Sequence, residues 1–302
     1  MSIRPVKAIS QAMPTLEGAG VHLHRAFGFG KTEDFDPFLL FDDFRNEDPN
    51  KYMAGFPWHP HRGIETITYV LAGTVDHGDS LGNTGSLGAG DVQWMTAGSG
   101  IMHQEMPQGD PKGRMHGFQL WANLPSSLKM TDPRYQDITS DAIPSVTEDD
   151  GTTARIICGN FWGQRGPVEG IAADPRYLDV TVPPEVKRTL PVETALHAFA
   201  YVFEGSGKFH GASDPRAIKT EHIERDGSET VTYDVGNRSL ILFDRGDEVT
   251  VQAGPEGIRF LLVSGQPLKE PVAWHGPIVM NTREELQQAF KDLNDGTFTQ
   301  HK

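Results

Sequence analysis

The chain has 302 residues, with 33 glycines, 21 prolines and one cysteine. Its 27 lysines and arginines against 41 acidic residues leave a net charge of −14, so no cationic excess exists to displace counterions from DNA or RNA, and no direct nucleic-acid partner is expected. A lone cysteine, Cys158, excludes an internal disulfide and a cysteine-rich zinc site.

The opening segment MSIRPVKAIS lacks the apolar stretch of a signal peptide, and no apolar run approaches a membrane span. A soluble, cytoplasmic protein with no membrane partner is expected. Short apolar alternations bounded by Gly, Pro, Asn and Asp recur along the chain, at 64–71, 91–95, 116–122, 195–203, 238–243 and 258–263. That pattern predicts an all-β sandwich or barrel. One helix is predicted near the end, in NTREELQQAFKDLNDG. Thr282 and Glu285 there have capping-box spacing, and Leu286, Ala289, Phe290 and Leu293 make an apolar stripe. The polar stretch 126–151 reads as a linker.

The halves resemble each other. TYVLAG (68–73) matches AYVFEG (200–205), and AGDVQWMTAG (89–98) matches RGDEVTVQAG (245–254). A duplicated β-barrel is the economical reading. The expected division is 1–135 for the first barrel and 136–302 for the second.

The stretch FPWHPHRGIETITYV carries His59 and His61 one residue apart. On a strand they share a face, and strict alternation would add Glu65 to it. Pro60 between them fits a strand edge. A second pair, His103 and Glu105, follows the glycine turn in GSGIMHQEMP. Imidazoles and carboxylates together suit Fe, Mn, Ni, Cu or Zn. Aligned on the repeat, His59, His61, His103 and Glu105 correspond to Pro191, Glu193, Phe260 and Leu262, so the full polar cluster belongs to the first copy alone. Phe56, Trp58, Met106, Phe118 and Trp121 are candidates to line a pocket beside it, and His116 is a further one. His22 and His24 form another His-x-His without an acidic companion and are read as strand residues or pocket edge. GAGDVQWMTAGSG matches no phosphate-binding fingerprint.

The segment HPHRGIETITYVLAG…HGDSLGNTGSLGAGDVQWMTAGSGIMHQE, with PVAWHGPIVMNTREELQQAF near the end, resembles the pirin family of the cupin superfamily across nearly the whole chain. The resemblance implies a bicupin: two tandem cupin β-barrels with a short C-terminal helix, and a metal in the first barrel only. It implies Fe(2+) held by His59, His61, His103 and Glu105. The general cupin scheme would draw its carboxylate from the first motif, at Glu65; the pirin pattern places it at Glu105, leaving Glu65 to orient a ligand imidazole or to bond backbone. It further implies a dioxygenase of the quercetinase type acting on a small aromatic substrate such as a flavonol; at such a site Glu105, the one carboxylate placed there, would receive the substrate hydroxyl proton on partly releasing the metal. The other implied role is a redox-responsive regulator that binds a protein partner.

Overall fold

The computed structural model describes residues 2–211, 221–223 and 229–299. In chain order the first strands are β1 (Val6–Gln11), β2 (Met13–Glu17), β3 (Val21–Phe27), β4 (Phe38–Asp43), β5 (Phe56–His61) and β6 (Ile64–Ala72). They continue as β7 (Thr74–Asp79), β8 (Thr84–Leu87), β9 (Val92–Thr96), β10 (Ile101–Gln108), β11 (His116–Asn123) and β12 (Arg134–Ile138). The chain divides into two compact units. One comprises Met13–Ala142 with Leu268–Lys302, and the other Met1–Ala12 with Ile143–Pro267.

The first unit contains two antiparallel sheets. A seven-stranded sheet runs in the order β12-β9-β6-β11-β4-β3-β2, and a four-stranded sheet in the order β5-β10-β7-β8. Apolar side chains from both, including Val21, Leu23, Phe44, Val70, Val75 and Met115, form one buried cluster. The segment after Leu268 supplies a short hairpin and the helix Arg283–Asn294. Thr282 Oγ1 accepts the Glu285 amide and the Glu285 carboxylate accepts the Thr282 amide, closing the predicted capping box. Ala289 packs with Ile278, Met280 and Phe298, so the helix seats its apolar stripe within this unit.

The second unit is a barrel-like β-structure whose largest sheet contains ten strands. Its interior is apolar: Val180, Val202, Phe209, Ile241, Val251 and Phe260 belong to one buried cluster. Phe260 and Leu262 fill the positions that correspond to His103 and Glu105, so an apolar core occupies what the first copy leaves polar.

Two details depart from the sequence reading. The expected division at 135/136 falls inside β12, while the observed units separate at 142/143 and exchange their terminal segments. β1 joins the second unit by pairing with Ser239–Phe243, Ile9 opposite Ile241. The expected linker 126–151 is also more structured than a linker. It contains β12, which pairs with β9, and Ser145–Thr147, which pairs with Thr153–Cys158. These strands are short and polar because each has one half-exposed face, which conceals their pairing in the sequence. Among the described residues, no helix is long and apolar enough to cross a membrane.

Candidate metal centre

β5 is the edge strand of the four-stranded sheet, so Pro57 and Pro60, which lack an amide hydrogen, cost no ladder bond there. β10 is its central partner and pairs His103 directly opposite His59. Gly98 and Gly100 adopt positive φ (49° and 138°) in the turn before β10, as the glycine-rich segment requires. A bulge between His103 and Glu105 follows. The result brings His59, His61 and His103 together, with one ligand atom from each lying within 4.8 Å of the others. The ring centroids are 4.3–4.9 Å apart.

Two carbonyls set the tautomers. His59 Nδ1 lies 2.9 Å from the Pro57 carbonyl and His61 Nδ1 lies 3.2 Å from that of Pro277. A carbonyl only accepts, so each Nδ1 carries the hydrogen and each neutral ring presents a bare Nε2. Burial holds both imidazoles in the neutral form by lowering their pKa, most strongly for His61. The two Nε2 atoms nevertheless face each other at 3.1 Å. Two nitrogens bound at right angles to one ion, each at ~2.1 Å, would be about 3.0 Å apart. His103 is 1% exposed, and neither of its ring nitrogens has a hydrogen-bond partner among the described residues. Buried polar atoms are nearly always paired, so the three histidines are arranged as ligands are, and a cation fits them.

Glu105 shares the inward face of β10 with His103 but does not enter the three-histidine cluster. Its Oε1 lies 3.1 Å from Thr68 Oγ1, which also lies 2.9 Å from Gln119 Oε1, so the single threonine proton serves one at a time. Burial raises the Glu105 carboxyl to about 7, with the Thr68 hydrogen bond acting in the opposite sense.

Glu65 does not share the face of His59 and His61. Gly63 turns the chain with φ +78°, and an added Cβ would sit 1.9 Å from the Val279 carbonyl. β5 and β6 therefore lie in different sheets, and the alternation restarts. Glu65 accepts a hydrogen bond from Thr96 Oγ1 at 2.8 Å and bonds none of the site histidines. Burial raises its carboxyl to about 7 as well, with Thr96 opposing.

A cavity of about 700 Å³ adjoins the cluster, lined by His59, His61 and Glu105 and by apolar side chains that include Val21, Leu40, Phe56 and Trp121. Of the aromatic candidates, Phe56 and Trp121 are in that wall. Trp58 is exposed, Met106 lies outside the lining and Phe118 is buried against Phe41. His116 lies 3.7 Å from the Glu47 carboxylate instead. Val21, Leu23 and Arg25 of β3 line the cavity, so His22 and His24 take the other face. Sequence reasoning missed Arg25, Asp42, Thr68 and Gln119, which also line it. Their signal was a polar residue at an inward position of an otherwise apolar strand.

Two family models match the chain: Pirin over residues 20–122 and the Pirin C-terminal cupin domain over residues 177–299. A pirin-like protein of Caulobacter vibrioides is 44% identical over 299 residues, covering 99% of this chain and 100% of that protein. A Pseudomonas aeruginosa protein named provisionally as a quercetin 2,3-dioxygenase is 39% identical, covering 97% of each. Among solved structures, a quercetin 2,3-dioxygenase from Acinetobacter baumannii superposes with a TM-score of 0.84 at 29% identity, covering 98% of this chain and 99% of that one. The fold is thus shared with that solved structure over nearly its whole length.

Proposed function

The chain belongs to the pirin family, and from that premise we propose that it is a metal-dependent dioxygenase of the quercetinase type, opening a flavonol or catechol-like ring with dioxygen. The proposed metal is iron, held by His59, His61 and His103, with Glu105 completing the set. Mn, Ni, Cu and Zn are substitutes the same donors accept. The observation that carries this reading is that the histidine cluster opens onto a cavity sized for a small ligand and walled mostly by apolar groups. The quercetin 2,3-dioxygenase names among relatives at 39% and 29% identity support the same chemistry.

Bound metal supplies a Lewis acid that stabilises a deprotonated substrate hydroxyl. The chain supplies the rest. The Pro57 and Pro277 carbonyls hold His59 and His61 with Nε2 aimed at the shared point. Phe56, Leu40 and Trp121 keep water from the aromatic ring. Glu105 takes up the hydroxyl proton as its carboxylate partly releases the metal; burial raises its pKa to about 7, which makes the released carboxylate basic enough to hold that proton.

The test is elemental analysis of the purified protein followed by oxygen uptake with a flavonol. Metal-dependent oxygen consumption matched to flavonol loss supports the reading. A metal-loaded protein that consumes no oxygen with any flavonol or catechol overturns it, and would leave a redox-responsive regulator that binds a protein partner.

A further inference from the structure

One row of the seven-stranded sheet is polar where it faces the cavity. Thr68 of β6 pairs with Gln119 of β11, Gln119 with Asp42 of β4, and Asp42 with Arg25 of β3. All four line the cavity. Two residues along the same strands, Val70, Trp121, Leu40 and Leu23 are apolar. The row is polar across all four strands, and of the flanking inward positions on β6 only Thr66, opposite Trp121, is also polar.

The ends of the row differ in what they leave unused. Thr68 is engaged by Glu105 and Gln119. Arg25 donates to both oxygens of Asp42, at 2.8 and 2.7 Å, and pairs with Glu17 at 2.8 Å, so its fork is occupied. Gln119 turns Oε1 towards Thr68, and its Nε2 has no protein partner among the described residues. Asp42 is 5% exposed, and each of its oxygens accepts one Arg25 bond and retains a further lone pair. An ion pair withdrawn into a pocket is a weak source of stability, since desolvation offsets its attraction. Its presence in an apolar wall, next to an unengaged amide, needs a ligand-side reason.

We infer that Gln119 and Asp42 form a recognition pole for a hydroxyl at the far end of the substrate, with Arg25 as the positioning residue that holds the Asp42 carboxylate. This rests on the dioxygenase reading and specifies its substrate class. A hydroxyl both donates and accepts, so it can give its hydrogen to Asp42 while receiving one from Gln119 Nε2. A carboxylate at that place would accept from Gln119 but face the Asp42 and Glu17 charges. From Thr68, the side chain that touches Glu105, to Asp42 is two strand spacings, about 10 Å. A neutral polyhydroxylated molecule of two or three rings, with oxygens at both ends, spans it.

The experiment is a calorimetric titration of the zinc-loaded protein, which binds without redox turnover, with quercetin and with 3-hydroxyflavone. The second shares the chelating oxygens and lacks every distal hydroxyl. In the unchanged protein quercetin should bind at least about tenfold more tightly. In Gln119→Leu and in Asp42→Asn the ratio of the two dissociation constants should fall to below about threefold. Gln119→Leu is a half-exposed substitution that keeps the test available if Asp42→Asn does not fold. Equal affinity for the two ligands in the unchanged protein overturns the proposal, as does a ratio preserved in Gln119→Leu. Failure of both ligands to bind at all would instead remove the dioxygenase reading, and this inference with it.

Discussion

His59 and His61 point their unprotonated Nε2 atoms at each other across 3.1 Å. Both rings spend their one hydrogen on a carbonyl, so neither can donate to the other. Two lone pairs in that position repel unless a cation lies between them. The proline-rich edge strand and the Pro277 carbonyl thus build a binding geometry whose energetic cost is met by an ion.

Removing His103 tests that view through stability as well as metal content. His103→Leu should abolish stoichiometric metal uptake in elemental analysis. It also replaces two orphaned buried nitrogens with a side chain of similar size. The metal-free variant should therefore be as stable as the metal-free parent or more so, by about 1–2 kcal/mol in denaturant unfolding. A large loss of stability without metal would mean that the ring has a structural bonding role.

The two candidate carboxylates separate by position. Glu105→Gln should weaken metal binding at least about tenfold in a competition titration. Glu65→Gln should change it far less, because Glu65 faces away and bonds Thr96. The opposite order would return the ligand role to the first motif.

Much of the architecture is readable from alternation alone. The stretch 64–71 is β6 to within a residue, and Thr282 with Glu285 caps the helix as their spacing requires. The three histidines converge because β5 and β10 are paired, and the Pro60 edge signal and the glycine turn before β10 both pointed that way. Glu65 was misplaced because period-2 counting ran through Gly63, whose left-handed backbone resets which side faces inward. The exchange of terminal segments left no local trace, since β1 is chosen by a partner more than 200 residues away. Arg25, Asp42 and Gln119 were missed for a related reason: a polar residue at an inward strand position is a weak signal until strand register lines several of them up.

Glu65 gives a pH signature free of the metal ligands. Burial keeps its carboxyl protonated in the folded state up to about 7, whereas the ordinary value is 4.5. Between those values the folded protein binds more protons than the unfolded chain, so the contribution of Glu65 to stability is full below 4.5 and declines as pH rises towards 7. Gln mimics the protonated form. Glu65→Gln should therefore gain on the parent protein between pH 5 and pH 8, by up to about 3 kcal/mol in urea unfolding. A difference independent of pH would show that Glu65 titrates normally.

Lys129 ties the metal strand to the C-terminal segment. It is 2% exposed, and its Nζ donates to the Gly63 carbonyl at 2.7 Å, the Val279 carbonyl at 2.9 Å and Asn123 Oδ1. Val279 in turn donates its amide to the Arg62 carbonyl, and Pro277 supplies the acceptor that orients His61. Lys129→Met would strand three buried acceptors at once, so a loss of about 2–4 kcal/mol is expected in chemical unfolding. The same change should lower metal affinity about tenfold while leaving the capacity at one ion, because His61 keeps its nitrogen but loses the strut that aligns it. Stability lost with affinity intact would assign Lys129 to the scaffold alone. Affinity lost together with capacity would mean that the Pro277 carbonyl, and with it the His61 tautomer, depends on this one ammonium group.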